Sequence, residues 1–192
     1  SVYFFNWKHF TLTKPGFINS DIFRLYLKPI IGEIKIKDLK KELIINATDL
    51  IQGETFVFSG DDYLLDAIIA SCSVPGLASP FKKDELLLSD GGILNNFPTN
   101  LIKEKCDKII GIYVCPLQDV KKNQLNSIKA VATRAYELLS YSVENYKFKD
   151  CDWLISPKEL SNYGMFESKK TRMDELFQLG FSEAEKTFPK DF

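Results

Sequence analysis

Scarcity in these 192 residues rules out several chemistries. There is one histidine, His9, so a Ser/His/Asp triad has a single imidazole to draw on, set among the aromatics of "SVYFFNWKHF". Four cysteines, at 72, 106, 115 and 151, form no C-x-x-C pair and have no histidine cluster beside them, which disfavours a zinc site. Their neighbours are small or apolar, so they are expected to be buried, reduced thiols of a cytosolic protein. Neither sign of charge is in excess. Against 25 Lys and Arg stand 26 Asp and Glu, and no basic field is present to meet a phosphate backbone, so nucleic acid is not an expected partner. No apolar run reaches the roughly 20 residues that span a bilayer. A G-x-S-x-G elbow, a G-x-G-x-x-G fingerprint and a phosphate-cradling loop are all missing. The nearest approach to an elbow, "GFSEA" at 180–184, lies in helical sequence among charges rather than after a strand.

What is present is ordinary soluble-domain material: 45% hydrophobic and 27% charged residues. Length and the absence of a linker predict one domain over 1–192. The opening residues, without an initiator Met, read as a cut edge; their aromatics with Lys8 and His9 suit either a lipid surface or burial against a neighbouring segment. "NSDIFRLYLKPI" predicts a short helix capped at Asn19 or Ser20, with Ile22, Leu25 and Tyr26 on one face, interrupted by Pro29. "ELIINAT" (42–48) and "TFVFS" (55–59) predict two strands, as a hairpin or as neighbours. Leu64, Leu65, Ile68 and Ile69 recur at helical spacing ahead of Pro75-Gly76, a helix placed under the sheet.

"GLASPFKK" (76–83) reads as a rim loop, solvated or presenting Phe81 and its lysines to lipid. Ser71 and Ser73 read as helix-end packing, since no base or elbow accompanies them. "ELLLSD" predicts a third strand, "FPTNLIKEKC" a short helix with Pro98 in its first turn, and "KIIGIYVCP" (108–116) a strand covered on both faces. Between 121 and 149, Leu125, Ile128, Ala132, Ala135, Leu138, Ser142 and Tyr146 recur every three or four residues. That is the clearest amphipathic helix in the chain, and its stripe is read as core. "CDWLISP" (151–157) and "TRMDELFQLGFSEAEKTF" close the series with a strand and a helix. Strands alternating with helices through the second half predict an α/β sheet with parallel neighbours.

The remaining feature is "LLLSDGGILNNFP", residues 86–98, in which an apolar run ends in a carboxylate. Sites in open α/β sheets gather at the carboxyl ends of strands, where Asp90 falls. Two readings stand side by side. Asp-Gly is an economical strand-end turn, because glycine accepts positive φ; alternatively, the strand delivers a catalytic acid. Gly91 and Gly92 allow a tight turn, and Asn95 and Asn96 orient the loop. The residues by themselves give an acid without a nucleophile.

Three stretches, "LIINATDLIQGETFVFSGD", "AIIASCSVPGLASPF" and "LLLSDGGILNNFPTNLIKEKCDKIIGIYV", resemble in order and spacing roughly the latter two thirds of a patatin-like phospholipase, from about residue 16 to about residue 188. The resemblance implies a three-layer α/β/α fold with a mostly parallel central sheet. It also implies a Ser–Asp dyad, in which a serine on a G-x-S-x-G elbow attacks an ester and the D-G-G aspartate takes its proton with no imidazole between. Asp90 matches that aspartate. In this family the glycine loop and the elbow precede the point where this sequence begins. The chain is therefore read as a fragment that depends on an N-terminal segment of the same protein and is inactive alone. The implied substrate is a phospholipid or other acyl ester, hydrolysed through an acyl-enzyme. No metal or organic cofactor is implied, and the expected location is cytoplasmic with peripheral membrane contact. A rival from another class is a non-catalytic patatin-like domain that binds lipid or protein. A nucleotide-binding module is a remoter one, given the missing phosphate loop.

Overall fold

Alternating side chains in "INATD" and "ETFVF" build an antiparallel hairpin from β1 (Ile45–Asp49) and β2 (Glu54–Phe58), with Ile45 opposite Phe58 and Asp49 opposite Glu54. Its turn closes at Gly53, φ 70°, whose N–H donates to the Asp49 carbonyl at 2.9 Å; only glycine takes that conformation without strain. The computed structural model describes residues 16, 18–164 and 167–190, and the chain divides into two compact units, residues 1–96 and 97–192. Lys8, His9 and the aromatic opening lie outside the described residues.

In the first unit, β4 (Leu86–Asp90) pairs antiparallel with the free edge of β1, and β3 (Phe81–Lys83) pairs antiparallel with β4, giving the order β2-β1-β4-β3. The mostly parallel sheet that the family resemblance implies is not what these four strands make. Two of the three pairings are tight hairpins, and a short connection permits only antiparallel pairing. Phe81, expected on a rim loop, lies on β3 and belongs to the core, while Lys82 faces out.

The helix α2 (Leu64–Ser71) packs on β1 and β4 as expected, burying Leu65, Ala67, Ile69 and Ala70 against Ala47, Phe58 and Leu88. Against α2 lies α1 (Asp21–Ile31), through Phe23, Leu27 and Ile31, with Arg24 and Asp66 ion-paired at 2.6 Å. Leu25, expected on the buried face, is exposed. Pro29 does not stop this helix: it falls in the last turn, where one missing N–H is tolerable, and Gly32 (φ 76°) closes the end by donating to the Lys28 carbonyl.

In the second unit, β5 (Ile110–Ile112) and β6 (Trp153–Ile155) pair in parallel, connected through α3 (Ile128–Glu144). β5 is not covered on both faces. Gly111 is buried beneath Phe97, Cys151 and Leu154, but Ile110 and Ile112, on the other face, are exposed. "FPTNLIKEKC" gives a single 3₁₀ turn, Thr99–Leu101, with Pro98 preceding it. α3 is shorter than its periodicity suggests. It starts where the Ser127 hydroxyl accepts the Ala130 N–H at 3.2 Å, and it ends in a 3₁₀ segment, Asn145–Asp150.

The stripe of α3, read as core, is largely exposed, with Ile128 at 92% and Leu138 at 45%. What is buried where this helix passes into the 3₁₀ segment is charge: Glu144 and Lys147 are ion-paired at 2.9 Å, and the Glu144 carboxylate also accepts the Phe97 N–H at 2.9 Å. Phe97, Tyr113, Tyr141 and Phe148 form an edge-on aromatic cluster in the same unit. α4 (Lys170–Thr187) packs on β6, and the Trp153 indole N–H donates to the Thr187 hydroxyl at 3.0 Å. "GFSEA" lies inside α4, so Ser182 is a helix residue and not an elbow.

The expectation of buried thiols is corrected. Cys72, Cys106 and Cys115 are exposed and Cys151 is half-buried, and no disulfide joins the four. Cys72 follows the last residue of α2, and Cys106 and Cys115 lie in the loops on either side of β5, so apolar neighbours in sequence do not enclose them. Among the described residues no helix is long and apolar enough to cross a membrane.

Candidate active site

The acid is held by its main chain before its side chain is considered. Asp90 is the last residue of β4, half-buried, directly after the buried pair Leu88 and Ser89. Its N–H donates to the Ser73 carbonyl at 3.0 Å, and the Ser89 hydroxyl donates to that same carbonyl at 2.6 Å. Its own carbonyl accepts the Thr48 hydroxyl at 3.0 Å. Beyond it the chain enters a 3₁₀ turn, Gly91–Ile93, and the Gly92 N–H donates to the Asp90 carboxylate at 2.7 Å, as Asp does at turn starts. Burial pushes the Asp90 carboxyl above its ordinary range, and the Gly92 N–H partly opposes that shift. The carboxylate is thus a stronger proton acceptor than an aspartate in water.

The two glycines are needed for a different reason from the one their sequence suggests. Neither adopts a positive φ. The constraint is space: a Cβ on Gly91 falls 2.5 Å from the Asn46 carbonyl oxygen, and a Cβ on Gly92 falls 2.8 Å from Asn96 Oδ1 and 3.0 Å from Asp90 Oδ1. The first clash is with backbone and cannot be relieved by turning a side chain. Gly91→Ala is therefore expected to destabilise the full-length protein by about 1–3 kcal/mol, read by chemical denaturation. A midpoint equal to that of the parent would contradict the close approach.

Asn95 is buried. Its N–H donates to the Gly91 carbonyl at 2.9 Å and its carbonyl accepts the Asn46 amide at 3.0 Å, while Asn96 is exposed with its side chain beside Gly92. Asn46 is the residue that the sequence reading missed. Its signal was an asparagine inside a strand, where that residue type is depleted and a buried amide has to find partners. Ser73 is fully buried and its hydroxyl donates to the Ile69 carbonyl at 2.7 Å, in keeping with helix-end packing. Among the described residues, no group of three or more His, Cys, Asp or Glu converges to hold a metal ion.

Residues 1–102, just over half of the chain, match the family model for patatin-like phospholipase, a stretch that contains β1 to β4 and the whole of "SDGGILNNFP". The chain belongs to the patatin-like phospholipase family. An uncharacterized NTE family protein of Mycobacterium bovis is 33% identical over 84 residues, which is 44% of this chain and 14% of that protein. An uncharacterized NTE family protein of Mycobacterium tuberculosis is 33% identical over 89 residues, 46% of this chain and 24% of that protein. The match thus spans less than a quarter of the length of these relatives. Within this patatin-like chain, the family match ends at residue 102, short of the reach to about residue 188 expected from the three quoted stretches.

Proposed function

We propose that this patatin-like chain carries the base of a lipid acyl hydrolase, with Asp90 as the proton acceptor of a Ser–Asp dyad. The serine belongs to a G-x-S-x-G stretch that these 192 residues do not contain. The observation that carries the reading is the D-G-G carboxylate itself: set at a strand end, half-buried, pushed up by burial and oriented by one backbone N–H. A base toward serine needs those properties and no imidazole.

In the first step the serine Oγ bonds to the ester carbonyl carbon while its proton passes to Asp90. Collapse of the tetrahedral intermediate expels the alcohol, which takes that proton, and leaves an acyl-enzyme. In the second step water attacks the acyl carbon, gives a proton to Asp90, and the serine leaves with it. The substrate class is a phospholipid or other acyl ester. The proposed setting is one three-layer α/β/α domain comprising 1–192 and the segment that bears the serine, in the cytoplasm and touching the membrane periphery.

A fluorophosphonate probe and a pH profile test this. The probe should label the full-length protein on the elbow serine and leave the 192-residue chain unlabelled. The acid limb of kcat/KM for a short-chain nitrophenyl ester should fall above the usual aspartate value of about 3.9. Labelling of a serine within residues 1–192, or an acid limb at the ordinary value, would overturn the assignment. A full-length protein that binds phospholipid vesicles but neither reacts with the probe nor turns over ester would be the non-catalytic lipid-binding domain.

A further inference from the structure

Asn46 does not suit its own strand. β1 is enclosed along most of its length, and Asn46 is 9% exposed at a position that a β-branched residue would ordinarily fill. A buried amide is costly unless its polar atoms are engaged. The Asn46 amide is engaged on the segment that follows the acid: Nδ2 donates to the Asn95 carbonyl at 3.0 Å and, at a longer 3.4 Å, to the Gly91 carbonyl. Two residues along β1, and so on the same face, Thr48 donates its hydroxyl to the Asp90 carbonyl at 3.0 Å.

These contacts share a pattern. Residues 90, 91 and 95 each offer a carbonyl to β1, the Asn95 N–H closes back on Gly91, and Gly91 lies against Asn46 with no room for a Cβ. Neither β1 side chain has a hydrogen bond to the Asp90 carboxylate; both fix the backbone that bears it. Among the described residues the donor to the carboxylate is the Gly92 N–H, and its direction follows from the 3₁₀ turn that starts at Gly91.

We propose that Asn46 and Thr48 are positioning residues, which clamp the backbone of residues 90–95 so that the Gly92 N–H stays on Asp90 Oδ1 and the carboxylate keeps a fixed angle toward the serine. The proposal rests on the reading of Asp90 as base. A loosened clamp weakens the Gly92 hydrogen bond, which is the influence opposing the upward shift of the Asp90 carboxyl. Protonation of Asp90 then extends to higher pH. The titratable neighbour just past the end of α2 is Cys72, an exposed residue whose thiol is pushed up by the protein packed on its inner side and then by the Asp90 charge. From β1 the residue opposite Asp90 is Ala47, which carries no charge; Asn46 and Thr48 leave the strand on the other face, and Asp49, two residues along from Ala47, is the acid on the Ala47 face.

The test is kcat, KM and the acid limb of the full-length protein on a short-chain nitrophenyl ester, for Asn46→Ala, Thr48→Val and Asp90→Asn, with thermal unfolding of each. Asn46→Ala should lower kcat about 10- to 100-fold with KM within about twofold, as loss of alignment does, and should move the acid limb to higher pH. Thr48→Val, nearly the same shape, should shift both in the same directions by less. Should Asn46→Ala fail to fold, Thr48→Val decides by the same two readouts. With Asp90→Asn inactive, an unchanged acid limb in the folded clamp variants overturns the inference, whether kcat holds or falls only with the fraction folded. Activity retained by Asp90→Asn overturns the base reading beneath it.

Discussion

Asp90→Asn is expected to lower kcat of the full-length protein on nitrophenyl esters by about 10²- to 10⁴-fold, the range attributed to a positioned general base. The variant should nevertheless fold. Asparagine has the same shape, and its amide oxygen accepts the Gly92 N–H that now reaches the carboxylate at 2.7 Å. The pH dependence of stability separates the two effects. Because burial raises the Asp90 carboxyl, the folded protein binds that proton more tightly than the unfolded chain does. The stability linked to this proton is fully present below the unfolded pKa and is lost as pH rises through the folded one. Asparagine carries no such penalty. At pH 7 the variant should therefore unfold at the same temperature as the parent or higher, with any gain disappearing in acid. Unchanged turnover in a folded Asp90→Asn protein would remove Asp90 from the chemistry.

The second large effect is expected in the other unit. Lys147→Met should destabilise the full-length protein by about 3–5 kcal/mol, because it leaves a charge without its partner beneath the surface. Glu144 and Lys147 are 2% and 4% exposed, which places this pair outside the class of surface ion pairs that contribute little. The Glu144 carboxylate joins the Lys147 ammonium and the Phe97 N–H, each at 2.9 Å, beside an aromatic cluster. In that cluster Tyr113 is pushed up to about 12, chiefly by burial and then by Cys115, Glu144 and Tyr141. Glu144→Gln combined with Lys147→Met removes both charges and should recover most of the loss, giving a coupling that denaturation of the two single variants and the double variant measures. A single Lys147→Met variant as stable as the parent would show the pair to be solvated.

Local pattern carried part of this architecture. The β1–β2 hairpin, α2 and β4 follow from spacing, since a two- or 3.6-residue period marks which residues share a face. Period does not say what that face meets. Leu25 on α1 and the stripe residues Ile128 and Leu138 on α3 belong to real helices, yet these residues are exposed. β3 was hidden because three residues after Pro80 are too few to alternate. Strand direction was misjudged where a two-residue connection, Asp84-Glu85, forces β4 back along β3.

At the site the asymmetry is similar. Asp90 was legible through D-G-G, but the glycines were credited with a left-handed turn when the actual constraint is the Asn46 backbone at Gly91 and the Asn96 and Asp90 side chains at Gly92, which sequence does not display. Asn46 was visible only as an asparagine out of place in a strand; what it holds was not, because its partners stand 45 and 49 residues away.

The alignment of Asp90 against Ala47 has a consequence for where the negative charge emerges. Successive side chains leave a strand on opposite sides, so sliding β4 by one place along β1 would turn the acid away and put a neutral hydroxyl, Ser89, where it stood. The Ser73 carbonyl, gripped by both of those residues, acts as a peg against that slide. Which side of the sheet bears the charge is thus set by a main-chain oxygen just past the end of a helix, from a residue that takes no part in the reaction.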